Sequence, residues 1–371
     1  MKPEELERAL RETEVPDAGA ARERARRTVL AAHRPARRRV RASTVWVAVA
    51  ATVAAVIFTA RDTGPARAIE QRVRAVLTAP TPAPTPAPSG LAGRMLVTED
   101  DELFVVSRNG RRTSLGPWRE ATWSPKGLYI GVASGRTLAA IEPDDGKVRW
   151  RLRCDEPVSF PRWAPGGLHI AYRSGDTLRI VYGNGLHDVR AGRDMAAVAP
   201  AWRPNEPRTV AWAATDGTVT VEDADTAKVL WTAPPAVRTV RRLAWSADGR
   251  RLLVGGKRIY AVHEYLKSSW RTTRLPRGSE LVAAAFAPKG GRLAVAVYAG
   301  DQTAVRVDGE TVLTAPGRLR DLEWSPDGRR LLTGWPGADH WLVVRAGRSD
   351  VAAVRHRFGP TARTRGWAAT P

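Results

Sequence analysis

Short runs of alternating apolar and polar positions, each closed by turn residues, recur along the C-terminal three quarters of the chain. The clearest is Asp321-Leu-Glu-Trp-Ser-Pro-Asp-Gly-Arg-Arg-Leu-Leu-Thr-Gly334. Leu322 and Trp324 alternate with polar neighbours, Pro326 presets φ, Asp327 and Gly328 supply the turn, and Leu331-Leu332 starts the return strand. The pattern predicts a β-hairpin, and one hairpin cannot bury both of its faces.

Its relatives are Trp123-Ser-Pro-Lys-Gly, Trp163-Ala-Pro-Gly-Gly, Trp202-Arg-Pro-Asn-Glu, Trp245-Ser-Ala-Asp-Gly and Phe286-Ala-Pro-Lys-Gly, with Trp324-Ser-Pro-Asp-Gly the last. Successive anchors lie 40, 39, 43, 41 and 38 residues apart. A period near forty with one such hairpin per unit is the signature of a propeller, whose four-stranded blades bury their faces against one another. A helical repeat would need apolar positions three to four apart, which these segments lack.

Before the first anchor, Arg94 to Thr98, Glu102 to Val106 and Arg111 to Leu115 read as the second, third and fourth strands of a blade without its first. After the last anchor, Leu331 to Trp335, Trp341 to Arg345 and Val351 to Arg357 complete a unit, and Trp367 falls 43 residues after Trp324, in register as a seventh anchor. The expected fold is therefore all-β, a seven-bladed propeller in which the C-terminal strand completes the blade begun at residue 94. Six blades with a tail outside the ring is the alternative.

The N-terminal quarter has a different pattern. Residues 3–13 and 17–33 predict two short helices with too few apolar positions for a core, giving an Arg-rich head over 1–41. Residues 42–60 follow without one charge; as a helix they reach about 28 Å, the thickness of a bilayer's hydrocarbon core. The apolar run is longer than a signal peptide's and no small-x-small cleavage site follows, so an uncleaved single-pass anchor is expected. Arg34, Arg37, Arg38, Arg39 and Arg41 precede the span, against Arg61 and Arg67 beyond it, which keeps the head in the cytoplasm and puts the propeller outside. Residues 61–93 form the connection: a helix placing Ile69, Val73, Val76 and Leu77 on one face, then the alternating Pro segment 79–88, a polyproline II spacer of roughly 30 Å.

The net charge of +21 is shared unevenly, and residues 94–371 carry 43 basic and 29 acidic side chains. An anionic wall polymer or lipid headgroups would suit that balance. Only seven of the 59 basic residues are Lys, however, a skew that reads as GC-rich codon usage and not as a nucleic-acid surface. The single cysteine, Cys154, excludes an internal disulfide and reads as a small buried strand residue.

Catalytic constellations are not found. There is no Gly-x-Ser-x-Gly elbow, P-loop or His-Glu-x-x-His helix, the six His stand singly, and Asp100-Asp101 and Asp144-Asp145 occupy turn-like settings. No metal or cofactor is expected. Asp145-Gly-Lys-Val-Arg-Trp150 and Asp225-Thr-Ala-Lys-Val-Leu-Trp231 are similar to the Asp-x-Gly-Lys-x-x-Trp motif of quinoprotein-type propeller repeats, which implies outer strands with a Trp that locks adjacent blades. One positional pattern is site-like: Arg119, Arg241, Arg320 and Arg363 each stand four residues before an anchor, where an inner strand should begin at one mouth of the channel. Guanidinium groups there would suit carboxylate or phosphate.

The Trp-Ser-Pro-Asp-Gly-Arg-Arg-Leu-Leu unit resembles the WD40-like (PD40) repeat of TolB-type propellers, over residues 94–371. With the Arg-rich head, the span and the Pro-rich spacer, the chain resembles the membrane-anchored TolB-like proteins of actinobacteria. The resemblance implies a scaffold for protein contacts and brings no catalytic residues with it. The separate N-terminal globular domain of periplasmic TolB is missing. The expected function is a non-catalytic, extracytoplasmic binding or sensing module. The alternatives are a transmembrane regulator whose head sequesters a transcription factor, as anti-sigma factors do, and a hydrolase or lyase with its site at the channel mouth.

Overall fold

The computed structural model describes residues 93–108, 110–265, 269–338, 340–345, 351–355 and 361–368. The expected head, span and spacer therefore lie outside the described residues, except for Gly93. Among the described residues no helix is long and apolar enough to cross a membrane.

Among the described residues, twenty-eight strands, β1 to β28 in chain order, form seven antiparallel four-stranded sheets. Blades I to VI are β4–β7, β8–β11, β12–β15, β16–β19, β20–β23 and β24–β27. Their innermost strands are β4 (Glu120–Trp123), β8 (Val158–Trp163), β12 (Ala201–Trp202), β16 (Arg242–Trp245), β20 (Glu280–Phe286) and β24 (Arg320–Trp324). Blade VII is composite: β28 (Arg363–Ala368) pairs with β1 (Arg94–Glu99), which leads on to β2 (Glu102–Val106) and β3 (Arg112–Gly116). Inner strands touch in unbroken cyclic order, with β24 meeting β28 and β28 meeting β4. The ring has seven blades, and the chain's last strand closes it.

Gly93 shows how tight the closure is. Its φ is +121°, and a Cβ there would lie 2.0 Å from the carbonyl oxygen of Ala368. Three residues before Ala368, Arg365 sits at an irregularity in the β1–β28 ladder. Its guanidinium donates to Thr98 Oγ1 at 2.8 Å, Glu120 Oε2 at 3.3 Å and the Arg119 carbonyl at 2.9 Å, so the closing strand is tied to both of its neighbours.

The core consists of apolar layers between blades. Ala133, Leu138, Val158, Ile170 and Tyr172 join blades I and II, and Leu96, Leu103, Ala121, Ile130 and Val132 join VII and I. The anchor aromatics stitch these layers together. The indole N–H of Trp202, Trp245 and Trp324 donates to the carbonyl of Arg162, Ala201 and Ala285, in each case the residue before the previous blade's anchor. Each such bond contributes about 1 kcal/mol net. Trp163 turns instead to Gly167 in its own hairpin, and Phe286 has no N–H to give.

A second device uses arginine. Arg94, Arg203, Arg251 and Arg292 each lie over the next blade's anchor ring, at 4.9, 5.4, 5.1 and 5.1 Å from its centroid. Each also donates to a carbonyl in that anchor's turn, at Gly127, Gly249, Gly291 and Gly328. Part of the propeller's positive charge is therefore spent between blades, as cation–π contacts on desolvated rings. The motif's serine and aspartate build the turn itself: in the last repeat Ser325 Oγ donates to Asp327 at 2.5 Å and accepts from the Arg330 amide at 2.9 Å. Gly328, at φ +69°, completes it.

Trp150 and Trp231 lock blades at the ring's outer edge. Trp150 donates to the Gly183 carbonyl of blade II at 2.8 Å, and Trp231 packs against His263, Tyr265 and Trp270 of blade IV.

Candidate functional site

Because all inner strands run in the same direction, their first residues share one rim of the channel, together with the turns between second and third strands. Arg119 and Arg241 immediately precede β4 and β16, and Arg320 and Arg363 open β24 and β28. The four arginines are thus brought to the same rim.

Three of them meet carboxylates there. Arg119 Nη2 lies 2.6 Å from Asp101 Oδ2, with both side chains exposed. Arg363 grips Asp321 through Nε at 3.0 Å and Nη2 at 2.8 Å, while the Thr364 amide takes the second carboxylate oxygen at 3.1 Å. Asp321 sits at φ +55° in an irregular stretch of β24, which turns its carboxylate toward β28. Arg241 is 3.9 Å from Glu280, whose oxygens Arg318 holds at 2.8 and 2.9 Å. That hydrogen bond holds the Glu280 carboxyl below its ordinary range. The backbone carbonyl of Arg320 accepts from Thr333 Oγ1 at 3.1 Å.

Below the rim lies a belt of charge that the repeat spacing does not announce. Arg162 of blade II senses Glu120, Glu323 and Arg365 from blades I, VI and VII, and Arg242 of blade IV senses Asp321, Glu323 and Arg363. Charges on blades so far apart around the ring influence one another across the channel, while the hydrogen bonds of Arg162 and Arg242 go to the nearby Pro161 and Val282 carbonyls. Burial pushes both arginines down and pushes Glu323 up to about 7; Asp321 raises Glu323 further, and Arg162 and Arg242 oppose the rise. These three side chains keep some accessible area although protein surrounds them, as expected inside a narrow channel. One signal was available: Arg162 and Glu323 precede their anchors at a position where other repeats place Thr122, Ala201, Ala244, Ala285 and Gly366.

The opposite face carries the hairpin turns. A cleft of about 350 Å³ there is lined by Leu168, His169, Tyr182, Asn184 and Asp225. His169, buried, lies 2.9 Å from Asp225 through Nε2 and stacks on Trp202, and Arg208 holds the other Asp225 oxygen at 3.0 Å. His263 is wedged between Trp231 and Trp270, and burial lowers its pKa. Both histidines therefore pack between aromatic rings.

Asp100 and Asp101 both take positive φ in a turn, and Asp145 accepts from the Lys147 amide at 2.9 Å, also in a turn. Cys154 lies just beyond β7, half-buried and not within a strand, with Sγ 3.6 Å from the Tyr172 hydroxyl. Burial raises its thiol pKa, which disfavours thiolate chemistry. Among the described residues no group of three or more His, Cys, Asp or Glu is placed to hold a metal ion.

No family model matches the chain, and no curated protein matches it. Solved structures do. The β-propeller domain of Cps50 (Swd1) from Myceliophteria thermophila is 17% identical, with a TM-score of 0.53 over 65% of this chain and 92% of that one. A chain of the mitotic checkpoint complex is 16% identical, with a TM-score of 0.52 over 69% and 93%. At such identities the likeness establishes the fold, a WD40-like seven-bladed propeller.

Proposed function

We propose that this chain is a TolB-like, actinobacterial-type membrane protein whose propeller stands outside the cytoplasm and binds a protein partner at the rim of its channel, without catalysing a reaction. The observation that carries this reading is the state of the rim arginines. Arg119, Arg241 and Arg363 remain about half exposed while facing carboxylates. A surface ion pair contributes no more than about 1 kcal/mol, so a partner's carboxylate exchanges for the internal one at little cost. Arg241 is the most available, since its nearest carboxylate is already held by Arg318.

The non-catalytic reading is supported by the setting of His169 and His263, each packed between aromatic rings, and of Cys154, whose thiol pKa burial raises. The membrane reading is supported by the uncharged stretch 42–60 and its Arg-rich flank. One neighbour in fold is a chain of a multiprotein complex, which agrees with a scaffold role by analogy alone.

Crosslinking and pull-down from intact cells tests the rim. The unaltered chain should capture a discrete protein that Arg119→Glu/Arg241→Glu no longer captures; equal capture by both overturns the reading, and retention of a wall polymer in place of protein transfers it to that ligand. A reporter active only outside the cytoplasm, fused after Pro371, should be active, and a silent fusion overturns the localisation.

A further inference from the structure

All eight large apolar side chains that stand exposed among the described residues lie on the same face of three consecutive blades. They are Leu128 and Val148 in blade I, Leu168, Tyr182, Leu186 and Val189 in blade II, and Val229 and Leu230 in blade III. Every one sits in, or next to, a turn joining first to second or third to fourth strands, on the hairpin face away from the arginine rim. Scattered apolar residues are ordinary on a surface, but confinement to one arc is not.

The repeat makes the departure measurable. Leu128 and Leu168 stand five residues after their anchors, where blades IV and VI carry Arg250 and Arg329. They are 55% and 63% exposed and contribute little to the core, so the hairpin itself does not call for leucine there. Between Leu168 and Tyr182 the surface is recessed, forming the cleft that Asn184 and Asp225 also line.

The charges around the arc select the occupant. Most of its acids have basic partners within the propeller, Asp144 with Arg94, Glu206 with Arg203, and Asp225 with Arg208 and His169, which leaves Asp145 as an exposed carboxylate in the blade I turn. Lys126, Lys147, Arg190 and Lys228 are exposed and have no ion-pair partner among the described residues. Apolar side chains framed by free cations, with a recess among them, match an extended segment that carries large apolar residues among acidic ones. Residues 66–77 of this chain, with Arg67, Arg72 and Arg74 against Glu70, have the wrong sign. A flat bilayer surface would not fill the recess.

We infer that the hairpin face of blades I to III is a second binding surface, which takes an acidic, apolar-rich peptide segment of a partner protein. It rests on the scaffold reading above and is separable from the rim, because the two lie on opposite faces.

The test uses the full chain, solubilised and immobilised, with a phage-displayed library of random peptides about twelve residues long as probe. Parallel selections use Leu168→Asp/Leu186→Asp and Arg119→Glu/Arg241→Glu. Expected are enriched sequences that combine Asp or Glu with Leu, Phe or Trp, that bind the leucine variant at least about tenfold more weakly, and that bind the rim variant unchanged. Enrichment of basic sequences, equal binding to the leucine variant, or no enrichment overturns the inference. So does a 66–77 peptide, or anionic vesicles, occupying the face in competition with the selected peptides. Loss of binding only in the rim variant would sink the second surface and leave the rim reading intact.

Discussion

The guanidinium of Arg292 lies 5.1 Å from the centroid of Trp324 and reaches past the ring to the Gly328 carbonyl, so one side chain grips both the anchor and the turn of the next blade. Removing it breaks a cation–π contact and a charged hydrogen bond across a blade junction. Arg292→Ala should cost about 2–3 kcal/mol in chemical denaturation. Arg292→Lys, which keeps the charge and loses the planar fork, should recover less than half of that. Equal stability of the lysine variant and the parent would refute a role for guanidinium geometry.

Closure by β28 predicts the outcome of a short truncation. Deleting residues 364–371 removes most of the strand that pairs with β1 and takes away the Arg365 bonds to Thr98 and Glu120. The melting temperature should fall markedly and the transition broaden, because β1 becomes an open edge. A truncated chain that melts like the parent would mean the tail is dispensable.

Glu323 gives the channel a pH dependence of known sign. Its carboxyl titrates near 7 in the folded ring against an ordinary value of 4.5, so between those values the folded state holds a proton that the unfolded state has released. Stability from this group is therefore greatest below about pH 4.5 and declines as pH rises toward 7, by at most about 3 kcal/mol. Glu323→Gln should flatten that part of the stability curve, with its largest gain over the parent near pH 8. Parallel curves for the two proteins would contradict this.

At the outer edge, Trp150 divides into two contributions. Trp150→Phe keeps an aromatic ring against blade II and loses the bond to the Gly183 carbonyl, costing about 1 kcal/mol. Trp150→Ala also opens a void beside Gly185, where the ring stands so close that a Cβ would meet it at 2.7 Å, and should cost about 3 kcal/mol. Denaturant midpoints for the pair separate the two terms.

The architecture was legible because its determinants are periodic. Trp123 to Trp367 mark each inner strand, and the strands without a first member at residues 94–115 already implied that the C-terminus returns to them. The rim was half legible: spacing placed Arg119, Arg241, Arg320 and Arg363 at one mouth, but Asp101, Glu280 and Asp321 reach them from turns and irregular strand segments that no fixed offset encodes. The channel belt was missed for a related reason. Register shifts between Ser159 and Arg162 and between Arg320 and Glu323 change which side chains face inward, so alternation along β8 and β24 misleads. The inter-blade arginines were hidden by abundance, since in so Arg-rich a chain nothing in composition separates Arg292 from a solvated neighbour.

The composite blade also sets an order of events during synthesis. Of the described strands, β1 to β3 leave the ribosome first, yet β28, which covers the free edge of β1, is the last of them to be made. Throughout translation, then, Met95, Leu96 and Val97 sit on an edge waiting for a partner more than 260 residues downstream. A chain stalled anywhere before residue 363 carries that edge with nothing to cap it. Synthesis of β28, more than completion of any single blade, is the event that covers the open edge of β1.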